Sequence, residues 1–193
     1  MAGDRDVEAR AGQPDDGQTA TLVAAAQRGD RAAWASLHAS FARTVHAIVL
    51  AHVGSRHAED VTQEVFCAVF ASLGSLRDPA AFPGYVCTAA RNAARDALRR
   101  RRRGPVLEPA DDLVGTAVPP PVAAEQRELA EQVLATIRRL PAAYHETLLL
   151  RLVGGLSGEE IAARTGLTHG SVRVNLTRGM QLLRPLLQEA GLP

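Results

Sequence analysis

Residues 157–183 read SGEEIAARTGLTHGSVRVNLTRGMQLL, two helical runs either side of a glycine. Ser157 and Glu160 have the spacing of a capping box, in which the serine accepts from the third helical amide and the glutamate reaches back. The spacing predicts a short helix over 158–164. Gly166 can take the left-handed conformation that stops it. Thr168 then caps a second helix over 169–183. Two helices joined by a tight glycine turn form a helix-turn-helix unit. Ala162, Gly166 and Val172 stand where close packing, a sharp turn and a buried anchor are needed, with Ile161, Leu167 and Leu176 completing that core. The second helix presents His169, Ser171, Arg173, Asn175, Thr177 and Arg178. Arginine reads guanine and asparagine reads adenine in the major groove, while Arg178 and the helix N-terminal amides suit phosphate.

Working outward, the same all-helical character continues. Apolar residues make up 46% of the 193 and aromatics only 4%. A core of Ala, Leu and Val favours helix, and no alternating β-branched run argues for a sheet. One helix is expected over 123–140. Pro141 opens the next, which runs to Val153 before Gly154-Gly155. Upstream, a helix begins near Thr21. After Gly29-Asp30 a second carries Trp34, Leu37, Phe41, Val45 and Ile48 as one buried stripe. A third, over 58–73, carries Val61, Val65, Phe66, Val69, Phe70 and Leu73. Residues 74–84 hold Pro79 and Pro83 and read as a loop. A fourth helix covers 85–103, apolar at Val86, Ala90, Ala93, Ala94 and Leu98. The expectation is an all-α chain of two small domains, 21–103 and 125–187. Residues 1–20 and 188–193 are tails. The 104–124 linker carries Pro105, Pro109, Pro119–Pro121 and the acids Asp111-Asp112.

Net charge is only +1, but residues 85–103 hold seven arginines against the single acid Asp96. Such a local block is a better nucleic-acid signal than total charge. Arg91, Arg95 and Arg99 step by four along one face. Tyr85, beside the loop, is placed to stack on an unpaired base. Cys67 and Cys87 are not paired as C-x-x-C, so a reduced setting is expected. No apolar run is long enough for a span, and the N-terminus lacks a secretory core. Both features lead to the expectation of a cytoplasmic protein.

These regions together resemble the extracytoplasmic-function (ECF) sigma factors of bacterial RNA polymerase. The resemblance rests on HAEDVTQEVFCAVFASL (57–73), FPGYVCTAARNAARDALRRRRR (82–103) and LPAAYHETLLLRLVGGLSGEEIAARTGLTHGSVRVNLTRGMQLLRPLL (140–187). It implies that the first domain is region 2, with Glu59, Asp60, Gln63, Glu64 and Phe66 docking on the polymerase β′ clamp coiled coil. It assigns Arg77, Phe82, Tyr85, Arg91, Asn92, Arg95 and Arg99 to the melted minus-ten element. The second domain is then region 4, with Thr168, His169, Ser171, Val172, Arg173, Asn175, Thr177 and Arg178 at the minus-thirty-five element and another face on the β flap. The resemblance also implies that the linker threads through the polymerase and that an anti-sigma protein is a candidate partner, as such proteins are frequent partners in this family. Tyr85 stands where the family commonly has Trp, Asn175 where a basic residue is common, and Gly179 replaces Ala, which loosens its helix by roughly 1 kcal/mol.

Rival readings are weaker. A LuxR-type regulator carries a similar four-helix module but does not account for the first domain. His145-Glu146 opens like a zinc-protease motif, yet Leu149 occupies the second histidine position. Ser157 in GGLSG is wrongly placed for a hydrolase elbow. No catalytic set, cofactor, metal site or membrane insertion is expected.

Overall fold

The computed structural model describes residues 16–103 and 121–192, and the tail over 1–15 and the 104–120 part of the linker lie outside them. Among the described residues eight α-helices follow in order: α1 (Asp16–Gln27), α2 (Arg31–Val53), α3 (Ser55–Ser72), α4 (Phe82–Arg103), α5 (Pro121–Arg138), α6 (Ala142–Leu152), α7 (Gly158–Thr165) and α8 (His169–Glu189). No strand occurs among the described residues.

Local chemistry sets the boundaries. Asp30 accepts from the amides of Ala32 and Ala33 at 2.8 and 3.1 Å, capping α2. Gly54 alone joins α2 to α3. Its φ of 86° lies in the region that glycine tolerates, and the Arg138 side chain fills the space a Cβ would need. The 74–84 loop is more ordered than its glycines and prolines suggest. It holds 3₁₀ turns at Leu73–Ser75 and Pro79–Ala81, the second capped by Asp78 accepting from Ala80. Helix α4 starts at Phe82, three residues before the expected Tyr85. Pro83 falls in its first turn, where a missing N–H costs nothing. Helix α1 starts at Asp16, with Thr19 buried, so residues 16–20 belong to the bundle and not to a tail.

Helices α1–α4 pack as one group around α2, and α5–α8 as a second around α8. Phe41 of α2 meets Phe82 of α4 edge-on at 5.2 Å, a geometry that adds about 0.5–1.5 kcal/mol to area burial. The groups also pack on each other, α2 against α6 and α4 against α7. This seam explains where the single-stripe reading of α2 falls short. Thr44, Val45 and Ala47 to Leu50 are all buried, because α6 packs on α2 in addition to α3 and α4. For the same reason Thr147, Leu148, Leu149 and Leu150 are buried in succession between α2 and α8.

Candidate nucleic-acid interface

The α7–α8 unit is fixed from its caps. Ser157 Oγ accepts from the Glu160 amide at 3.2 Å, and Glu160 Oε2 accepts from the Ser157 amide at 2.7 Å. Gly166 ends α7 with φ 74°. Thr168 Oγ1 accepts from the Ser171 amide at 3.1 Å and shares a 2.8 Å hydrogen bond with the Ser171 hydroxyl. Leu167 is not the core residue that its apolarity suggests. It is 39% exposed, because the left-handed turn at Gly166 carries the chain outward there.

Val172, Gly179 and Leu183 form the buried side of α8. Val172 has no exposed surface, so its assignment to DNA is corrected: it anchors the helix, and no base can reach it. A Cβ at Gly179 would lie 3.0 Å from Leu148 Cδ1. The glycine is therefore there for the close approach of α6 and α8, a reason that its lower helix propensity alone does not reveal. Rotation about this anchor leaves Thr168, His169, Ser171, Arg173, Thr177 and Arg178 exposed, and Asn175 partly buried at the flank. Val174, absent from the expected set, is 44% exposed among them.

On α4, Arg95, Arg99, Arg100 and Asn92 are exposed. Arg95 donates to Asn92 at 3.4 Å, Arg99 lies 3.6 Å from Asp96, and Arg100 pairs with Glu64 of α3 at 2.9 Å. Arg77 is exposed in the preceding loop. Three members of the expected minus-ten set stand differently. Phe82 is fully buried against Phe41, so it is a core residue with no face to offer a base. Tyr85 is half-buried, and its hydroxyl shares a 2.5 Å hydrogen bond with Ser72. Arg91 turns from the arginine stripe to Glu146 of α6, with Nε and Nη2 at 2.9 and 2.7 Å from one carboxylate oxygen.

On α3, Glu59, Asp60, Gln63 and Glu64 are exposed. Phe66 is only 5% exposed, with its ring packed 4.3 Å from His38 and 6.2 Å from Trp34, so its part in docking is corrected to that of a groove wall. The aromatic that protrudes is Phe70, 55% exposed and 5.0 Å from Trp34. Its place on the apolar stripe hid it in the sequence. His46 lines the same groove near Thr62, and burial lowers its pKa against the opposing charge of Glu59. Cys87, buried at the α4–α7 seam, has its thiol pushed up to about 11 by burial, with Arg164 and Arg91 opposing.

Among the described residues no three His, Cys, Asp or Glu side chains gather as a metal-ligand set, and no helix is long and apolar enough to cross a membrane. The geometry is that of a binding protein: an exposed helix-turn-helix and an arginine-bearing helix on one chain, which defines a two-module nucleic-acid-binding factor. The comparisons narrow that class. Residues 37–104 match the sigma-70 region 2 family model, and residues 130–183 match that of sigma-70, region 4. The chain is 35% identical over 137 residues to the RNA polymerase sigma factor CarQ of Myxococcus xanthus, covering 70% of this chain and 77% of that one. It is 33% identical over 182 residues to the ECF RNA polymerase sigma factor SigE of Mycolicibacterium smegmatis, covering 91% and 70% respectively. Among solved structures, CnrH in complex with the cytosolic domain of CnrY matches with a TM-score of 0.64 at 25% identity, covering 89% of this chain and 98% of that one. The chain belongs to the ECF group of sigma factors, which direct RNA polymerase to promoters. A region 2 match in the first bundle leaves the LuxR-type reading without support.

Proposed function

We propose that the two helical groups divide promoter recognition between them. The observation that carries this reading is the exposure of the capped helix α8 on one group and of the Arg95–Arg99 face of α4 on the other, within one chain. Helix α8 enters the major groove of the minus-thirty-five element, where Arg173 and Arg178 supply guanine and phosphate contacts. Arg77, Asn92, Arg95 and Arg99 hold the strand separated at the minus-ten element, with Tyr85 nearby. Glu59, Asp60, Gln63 and Glu64, beside the groove capped by Phe70, dock on the β′ clamp coiled coil, and the α5–α8 group meets the β flap.

The mechanism is binding, and polymerase performs the chemistry. Contacts to polymerase and duplex position region 2, and capture of unpaired bases offsets a melting cost of a few kcal/mol per flipped base. The site of action is the bacterial cytoplasm. The likeness to CnrH, solved with the cytosolic domain of CnrY, supports an anti-sigma protein as a further partner for this chain. The test is run-off transcription with core RNA polymerase on genomic DNA, with start sites mapped. Initiation at defined nucleotides only when this chain is added is the expected result. Its absence with every template overturns the reading.

A further inference from the structure

We infer that Val174 is a base-reading residue of α8, and that it recognises the 5-methyl group of a thymine in the duplex this helix reads. The inference rests on the proposed entry of α8 into the major groove. It begins with helix rotation. Val172 is fully buried and Val174 is two residues on, about 200° round the helix. Val174 therefore lies near the middle of the outward face. Gly170 lies one turn before it on that face, and Thr177 and Arg178 one turn after, all three exposed.

Neither Val174 nor Gly170 is explained by the fold. A β-branched valine is a poorer helix former than alanine, and glycine is poorer still. The valine leaves 44% of itself in solvent. At Gly170 a Cβ would meet nothing nearer than Thr168 Oγ1 at 3.9 Å, so no neighbour demands a glycine. The pair makes sense against a groove floor. A missing side chain at 170 lets the backbone come close, and a short branched apolar side chain at 174 then meets the base edge.

The chemistry of that edge selects the partner. Valine neither donates nor accepts a hydrogen bond, so it can discriminate among bases only through an apolar group on their edge. Thymine alone presents a methyl in the major groove. The polar readers Arg173, Thr177 and Arg178 flank the valine and fix its register.

The experiment uses the full chain bound to core RNA polymerase. Duplexes are selected from a random library, and each thymine of the selected upstream element is replaced in turn by deoxyuridine, which removes only the methyl. One such replacement should weaken binding about three- to fivefold, the value of one buried methyl-sized group. Val174→Ala should show no further loss at that same position, as a double-mutant cycle requires. The substitution is on the surface and favours helix, so thermal unfolding followed at 222 nm should show no loss of stability. If duplexes are selected and Arg173→Ala weakens binding, but no thymine methyl matters or the methyl effect persists in Val174→Ala, the valine inference falls and the groove reading stands. If no duplex is selected, or Arg173→Ala and Arg178→Ala both bind like the parent chain, both fall together.

Discussion

Arg91 of α4 and Glu146 of α6 form an ion pair across the seam between the two helical groups, with side chains only 17% and 23% exposed. Arg91 Nη2 also donates to the carbonyl oxygen of Arg164 at 2.5 Å, near the end of α7 where helix carbonyls lack internal partners. Beside it, the Arg164 guanidinium lies 5.6 Å over the Phe41 ring, and Arg43 Nε donates to the Val153 carbonyl at 3.1 Å. One arginine of the basic stripe is thus held by the other module, while Arg95 and Arg99 remain on the surface.

Breaking that pair should loosen the seam. Hydrogen bonds to charged groups contribute about 1.5–3 kcal/mol each, so Glu146→Ala should favour separation by roughly 1–3 kcal/mol. Cys87 reports it. The thiol is buried beside Arg91 and Arg164, and its pKa of about 11 keeps it protonated and slow to alkylate near neutral pH. In a Cys67→Ser background, Arg91→Ala, which breaks the same pair, should raise the Cys87 alkylation rate about tenfold or more if opening gates the reaction, because losing the Arg91 charge by itself raises the thiol pKa and would slow alkylation. An unchanged rate would mean that Cys87 is exposed by a motion other than separation of the groups.

Phe82 should behave as a core residue and not as a base reader. It is fully buried with its ring edge-on to Phe41. Removing such a ring costs about 3–5 kcal/mol through lost transfer energy and the cavity left behind. Phe82→Ala should therefore shift the urea midpoint sharply downward. A variant of parental stability that fails only in promoter opening would restore the base-reading role.

How far the sequence could be read depended on whether the determinant was local. The α7–α8 unit was legible almost residue by residue, because Ser157, Glu160, Gly166 and Thr168 act on amides within three or four residues of themselves. Helix α2 was legible as a helix, but the near-complete burial of its 44–50 stretch was not, since α6 is far away in the chain. Phe66 and Phe70 both fall on the apolar stripe of α3, and only the positions of Trp34 and His38 show which is covered and which protrudes. The diversion of Arg91 depends on Glu146, 55 residues on, and no spacing rule reaches that far.

His46 should make the first bundle sensitive to acid. Burial lowers its pKa from 6.5, and Glu59 opposes only part of that shift. The unfolded chain then binds a proton at this ring more readily than the folded one. Stability from this group is complete above the unfolded value and is lost as pH falls through the folded one. The melting temperature should drop as pH falls below about 6.5, where the unfolded ring takes up its proton before the folded one does, and by less in His46→Gln, whose amide can still reach Thr62. Parallel pH profiles for the two proteins would assign the acid sensitivity to other groups.

The arginines of α4 should separate into two kinds when bound to promoter DNA with polymerase. Arg95 and Arg99 are exposed, and their local partners, Asn92 and Asp96, are exposed as well. Each phosphate such an arginine neutralises releases counterions, so its loss should reduce the slope of log affinity against log salt by about one. Arg95→Ala and Arg99→Ala should each do this without lowering the melting temperature of the free protein. Arg91→Ala should lower that temperature, because it strands the half-buried Glu146 carboxylate and the Arg164 carbonyl. A change in its salt slope as large as that of Arg95→Ala would show that polymerase and promoter pull Arg91 away from Glu146 and onto the DNA. Comparing the three slopes therefore tells whether the seam between the modules must open during initiation.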